Sequence, residues 1–158
     1  MRPLLKPALR RLWRDPQTLQ LGVGPQRAMV VAGVDVGDVG ILHLLDGRRE
    51  LDDLVGEAAR LGHQPERVRR LVEVLSSAAA IDDAAAGEPD TVAGNPRLEP
   101  DLLSLSLVHP EPGAAAAVVA ARGRAAVEVV GGGRVGASVL ALLAAAGVGR
   151  VSVVDDRP

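Results

Sequence analysis

The chain has 158 residues, a formal charge of −2 and no cysteine. Disulfides, thiolate zinc sites and thiol nucleophiles are therefore excluded, and no global positive field draws it to nucleic acid or an acidic membrane surface. Apolar residues make up 47% of it and aromatics only 1%, which leaves Leu, Val and Ala to build the core of one ordinary domain or two small ones.

Residues 1–14 set Arg2, Lys6, Arg10, Arg11 and Arg14 among Leu and Pro. A solvated lead-in strand is expected there, the other reading being a basic grip on an acidic partner. Pro3 and Pro7 interrupt the start, and no long apolar core follows as it would in a signal peptide. No uncharged apolar run reaches the roughly 18 residues of a membrane span, so a cytoplasmic protein is expected.

TLQLGVGPQRAMVVAGV reads as a hairpin. Leu19, Leu21 and Val23 alternate with Thr18, Gln20 and Gly22, which predicts one buried face, and GPQ supplies turn residues. The second strand, Ala28–Val34, is apolar at both parities. Such a strand is either covered on both faces or keeps one apolar face for something else.

Three helices are predicted next. Asp35 caps the first, with Asp38 in capping-box spacing; Val39, Leu42 and Leu45 form its stripe and Gly47 ends it. The second carries Leu51, Leu54, Val55, Ala58 and Leu61 and stops at Gly62. The third starts near Pro65 and carries Val68, Leu71, Val72 and Leu75, with Arg67, Arg70 and Glu73 on its other face. A hairpin and three compact helices make a winged-helix-like unit.

DDAAAGEPDTVAGNPRLEP then reads as a linker. DLLSLSLVH, residues 101–109, fits a short helix or a strand, and Ala114–Arg122 look helical. His43, His63 and His109 lack metal-ligand spacing, so no metal site is expected.

The last segment, VEVVGGGRVGASVLALLAAAGVGRVSVVDD, holds Gly131, Gly133 and Gly136 in G-x-G-x-x-G spacing between a predicted strand and helix. The first glycine permits the tight turn, the second lets backbone approach a phosphate, and the third lets helix pack on strand. The helix N-terminus offers free N–H groups to an anion. Asp155, 19 residues beyond Gly136, ends the next apolar strand where an acid can bind a ribose hydroxyl. A partial Rossmann-type βαβ unit is expected, but not a working nucleotide site. Two parallel strands and one helix leave sheet faces bare, and the groups that phosphate chemistry needs have no place left in the chain.

These residues carry two resemblances. VVGGGRVGASVLALLAAAGVGRVSVVDD resembles the start of the ThiF/MoeB-like adenylating domain, related to ubiquitin-activating enzymes. Arg134 and Val135 stand where that loop usually has glycine and leucine; the arginine is similar to that of ThiF-like partner proteins of azole-forming cyclodehydratases. Residues from about 3 to 83 resemble the RiPP recognition element, the PqqD-like winged-helix domain that holds leader peptides of ribosomally made natural products. The residues carrying it are Pro3, Leu9 and Arg10, LLDGRRELDDLV from Leu44, and PERVRRLVEVL from Pro65. Glu50 departs from it, standing where Thr or Ser would cap the second helix.

The resemblances imply an α+β winged-helix domain over residues 1–84, a linker over 85–112, and a truncated or vestigial ThiF-like half-unit over 113–158. They imply leader binding by strand addition to the edge of Ala28–Val34, through Ala28, Met29, Val30, Val31 and Ala32, with the peptide's side chains lying against Arg67, Arg70 and Val74 of the third helix. They imply no catalytic residue. No cofactor is expected: Gly131, Gly133, Gly136 and Asp155 would be the nucleotide positions, ATP the ligand they would take, and Arg134 among them counts against it. The implied partners are a precursor leader peptide, a YcaO-type cyclodehydratase, and a second copy of the chain covering the bare sheet. The competing readings are a split subunit or N-terminal piece of a ThiF-like adenylating enzyme and a winged-helix DNA-binding regulator. The second is opposed by Glu66 and Glu73 among the arginines of the third helix.

Overall fold

The alternation around Leu19 and Leu21 becomes the middle strand of a three-stranded antiparallel sheet. In the computed structural model, which describes residues 1–24, 28–86, 92 and 95–155, β2 (Arg11–Asp15), β3 (Thr18–Leu21) and β4 (Met29–Ala32) pair in that order. Leu19 lies opposite Val31 and Leu21 opposite Met29. Leu19, Leu21 and Val31 are buried. Val23, expected on the same face, is instead 64% exposed. Gly22, at φ +83, turns the chain out of the strand directly after Leu21, a conformation that glycine adopts at little cost. The turn residues Pro25 and Gln26 lie outside the described residues.

The chain divides into two units, Met1–Gly87 with Leu103–Ala115, and Glu88–Leu102 with Ala116–Pro158. In the first, the lead-in forms two strands. β1 (Pro3–Leu5) is largely buried and pairs antiparallel with β5 (Ile81–Asp83), Leu4 opposite Asp82. β2 is exposed along its whole length and forms the outer edge of the three-stranded sheet.

A 3-10 turn over Val36–Asp38 opens the helical part. It carries a full capping box: Asp35 accepts from the Asp38 amide, and Asp38 accepts from the Asp35 amide. Helices α1 (Val39–Leu44), α2 (Leu51–Arg60) and α3 (Pro65–Ser77) follow. Gly47 (φ +73) and Gly62 (φ +92) hold the left-handed turns beyond α1 and α2. Glu50 stands at the N-cap of α2 without bonding to its first turn; its carboxylate accepts from the Met1 ammonium at 2.7 Å. Leu42, Leu45, Leu54, Val55, Ala58, Val68, Leu71, Val72 and Leu75 join Leu19, Leu21 and Ile81 in one core.

Within the stretch expected as a linker, residues 99–108 form helix α4 (Glu99–Val108). Residues 103–115 belong to the first unit, and Lys6 ties them there. Lys6 is 1% exposed, and its Nζ donates to the carbonyl oxygens of Ser106 (2.8 Å) and Pro110 (3.0 Å). An ammonium at the C-terminal end of α4 meets carbonyls that have no partner inside the helix. Burial lowers the Lys6 pKa, with the charges of Asp82 and Glu111 opposing the shift.

In the second unit, α5 (Ala114–Arg124) leads to β6 (Ala126–Val130), α6 (Arg134–Ala145) and β7 (Arg150–Val154). β6 and β7 are parallel, with Val127 opposite Val151 and Val129 opposite Val153. A Cβ on Gly136 would lie 1.8 Å from the Gly131 carbonyl oxygen, so α6 approaches β6 as closely as backbone allows. Asp101 accepts from Arg122 at 2.8 Å. Helix α6 buries none of its residues, and Val135 and Leu142 are 78% and 70% exposed. No helix among the described residues is long and apolar enough to cross a membrane.

Candidate functional site

The open side of β4 is where sheet geometry and the helical layer meet. Among the described residues no strand pairs with that side. The Gly33 amide donates to the Gln17 carbonyl at 2.9 Å. Amides alternate sides along an antiparallel strand, so those of Met29 and Val31 also aim at β3, and those of Val30 and Ala32 aim away from the sheet. The side chains alternate between faces in the same manner. Val31 is buried, Val30 is 50% exposed and Ala32 is exposed. Of the two readings open for an all-apolar strand, β4 takes the one with an apolar face kept bare.

A cleft of about 70 Å³ runs beside this edge, lined by Val31, Ala32, Gly33 and Val34 on one side and by Arg67, Arg70, Leu71 and Val74 on the other. The helical residues recur at a spacing of three or four, which places them on one face of α3. A second cavity of about 360 Å³ includes Ala28 and Met29 together with Ala78 and Ala79, just past the end of α3. Of the eight residues expected to bind a leader, the structure thus brings Val31, Ala32, Arg67, Arg70 and Val74 to one cleft. It places Ala28 and Met29 at the neighbouring cavity and leaves Val30 pointing to solvent from the opposite face. Gly33, Val34 and Leu71 complete the cleft. Leu71 was legible only as a core position, and it serves as both.

Arg67 fixes one end. Its Nε donates to Asp38 Oδ1 at 2.9 Å and its Nη2 to the Gly33 carbonyl at 2.7 Å, and it also bonds Asp38 Oδ2. Asp38 is 3% exposed. Burial pushes its carboxyl pKa up, but the hydrogen bonds from Arg67 and the Asp35 amide, with the charges of Arg67 and His63, outweigh it and hold the group below its ordinary value. The same hydrogen bond to Asp38 raises Arg67. The capping box and α3 are thereby joined through one buried carboxylate. The aligned fork of the guanidinium makes such a bond stronger than a neutral one.

The glycine segment makes a separate site in the second unit. Val129, Val130, Gly131, Gly133, Arg134, Val135, Gly136, Val139 and Asp155 line an open depression of about 620 Å³ at the N-terminus of α6. Gly131 has φ +93, which permits the turn from β6 into the loop. Asp155 Oδ2 accepts from the Gly132 amide at 2.9 Å. One backbone donor of the loop therefore holds this protein's own carboxylate, and an anion entering the loop would meet that negative charge. Among the described residues no group of three or more His, Asp or Glu side chains is placed to hold a metal ion.

No family model matches the chain, and no curated protein matches it. Solved structures that share its fold include two heterocyclases. One is described as a heterocyclase in complex with substrate and cofactor, with a TM-score of 0.60, 21% identity, and alignment over 98% of this chain and 20% of that one. The other is the heterocyclase TruD, with a TM-score of 0.58, 21% identity and the same coverage of both chains. The chain spans a fifth of the length of these structures, and at such identity it is the fold that is shared.

Proposed function

We propose that this chain binds an extended peptide by strand addition to β4. In this reading the peptide is the leader of a ribosomally made natural-product precursor, which the chain presents to a heterocycle-forming enzyme of the YcaO cyclodehydratase type. The observation that carries the reading is the bare edge of β4, with the Val30 and Ala32 amides turned outward beside the cleft on α3. Main-chain hydrogen bonds would supply affinity and the cleft selectivity. The likeness in fold to two heterocyclases supports the setting. The chain itself does no chemistry; it raises the local concentration of precursor at the enzyme. The same reading takes the first unit as a winged-helix, PqqD-like recognition element and the second as a ThiF-like Rossmann-type βαβ unit. A second reading, one segment of a larger adenylating assembly, is favoured by the bare apolar surface of α6, where Val135 and Leu142 stay exposed.

Proline separates the two sides of β4, because it removes one amide and fixes φ. Val31→Pro is expected to break the ladder to β3 and unfold the first unit. Val30→Pro removes only an outward amide, and circular dichroism and melting should stay close to the parent's. Binding is measured by fluorescence anisotropy with a panel of labelled leader peptides from azole-forming biosynthetic clusters. The parent should bind at least one of them, and Val30→Pro should weaken that complex by about tenfold or more, about 1.4 kcal/mol. A folded Val30→Pro chain that binds as tightly as the parent, or a parent that binds none of the panel, overturns the reading.

A further inference from the structure

We infer that Arg70 makes the cleft selective for a peptide carrying an acidic side chain two residues ahead of an apolar one. This rests on strand addition to β4 and specifies the peptide that β4 accepts.

The direction of the cleft comes from two contacts. At one end the Gly33 carbonyl is bonded by Arg67, in the first turns of α3. At the other, Ala28 and Met29 share a cavity with Ala78 and Ala79, at the far end of α3. Strand and helix therefore run antiparallel along the cleft. Its chemistry changes on the way, from the guanidinium groups of Arg67 and Arg70 to the apolar surface of Leu71 and Val74.

The two arginines are not equivalent. Arg67 is committed to the buried Asp38 and to Gly33. Arg69, on another face, pairs with Asp52. Arg70 is exposed and forms no ion pair with any described residue. Its acidic neighbours on the helix, Glu66 and Glu73, do not line the cleft. Val74 is 40% exposed, an apolar side chain left facing the same cleft. Arg70 and Val74 thus present one unmatched positive charge and one uncovered apolar group.

Their spacing fits a strand. Four residues of α-helix rise about 6 Å. Two residues of an extended peptide span about 6.6 to 6.8 Å, and side chains two apart lie on the same face. A peptide added antiparallel to β4 runs in the direction of α3. It therefore meets Arg70 before Val74, which sets the order as acid, any residue, apolar. The intervening side chain points to the opposite face, beside Val30.

The test is selection of a displayed library of random linear peptides on the parent chain and on Arg70→Glu, the winners being labelled for anisotropy. Arg70 is exposed and unpaired, so both chains should melt alike. The parent should enrich Asp or Glu two positions before Leu, Val or Ile, and binding of those peptides should be lost in Val30→Pro. Replacing that acid by its amide should weaken parent binding by about 1.4-fold to fivefold, the range of an ion pair at an accessible surface, and less at high salt. In Arg70→Glu the enriched residue should become Lys or Arg. If Val30-dependent peptides emerge with no acidic preference, or with the same preference in Arg70→Glu, this inference is wrong while strand addition stands. If no Val30-dependent peptide emerges, both fail.

Discussion

Arg67→Met should lower the stability of the first unit by about 2 kcal/mol at neutral pH and change the direction of its response to acid. The carboxylate of Asp38 is 3% exposed and would keep only the Asp35 amide and the charge of His63 to offset its burial. Removing one partner of a buried ion pair costs about 3–5 kcal/mol, and the lower figure here allows for the 43% exposure of the Arg67 side chain. In the parent, the folded pKa of Asp38 lies below its ordinary value. Its contribution is therefore complete above the unfolded pKa of about 3.9 and is lost only as pH falls through the folded value. In the variant, burial is no longer outweighed, so the folded pKa rises above the unfolded one. Protonation then relieves the penalty, and stability increases as pH falls from neutral toward the unfolded pKa of about 3.9. Urea denaturation at neutral pH and near that pKa checks both effects. Arg70→Met, on the same helix face, should change the unfolding free energy by less than about 0.5 kcal/mol, as ordinary surface substitutions do. A variant at position 67 with the parent's pH response would show that Arg67 does not set the state of Asp38.

Gly136→Ala should dismantle the β6–α6–β7 unit. The added carbon would sit 1.8 Å from the Gly131 carbonyl oxygen. That partner is backbone, held by a turn at φ +93, so it has no rotamer to yield. Overpacking against side chains typically costs about 1–3 kcal/mol, and a backbone obstacle of this kind should exceed that range. Hydrogen exchange should show amides of β6, α6 and β7 losing protection while those of β3 and α3 keep theirs. Gly133→Ala is the control, because a Cβ there meets nothing within 4 Å. Equal protection in Gly136→Ala and the parent would mean that α6 has room to move off β6.

Much of the first unit could be read because its signals are local. Leu19 and Leu21 announce a buried face by alternation, Asp35 and Asp38 a capping box by their spacing, and Gly47 and Gly62 the helix ends. Val23 continues the alternation on paper, but the left-handed turn at Gly22 takes it off the sheet. DLLSLSLVH stays ambiguous as sequence because its apolar residues fall on every side of a helix and both sides of a strand; α4 is settled by tertiary context. The helical members of the cleft, Arg67, Arg70 and Val74, follow from the periodicity of α3. Their juxtaposition with β4 does not, and neither does the division of labour between the two arginines. Arg67 finds Asp38 at a separation of 29 residues, and no spacing rule reaches that far.

Lys6 bears on what it would take to move this module from one protein to another. A recombination or a proteolytic nick that separates residues 1–84 from the rest would remove Ser106 and Pro110, the two carbonyls on which the ammonium closes. The severed piece would keep a lysine whose pocket has lost a wall, and with it Gly113, whose amide bonds Asp82 at the edge formed by β5. The inheritable unit is therefore defined by a contact spanning 100 positions of sequence. Any change that transplants the open edge of β4 must carry the distant segment along with it.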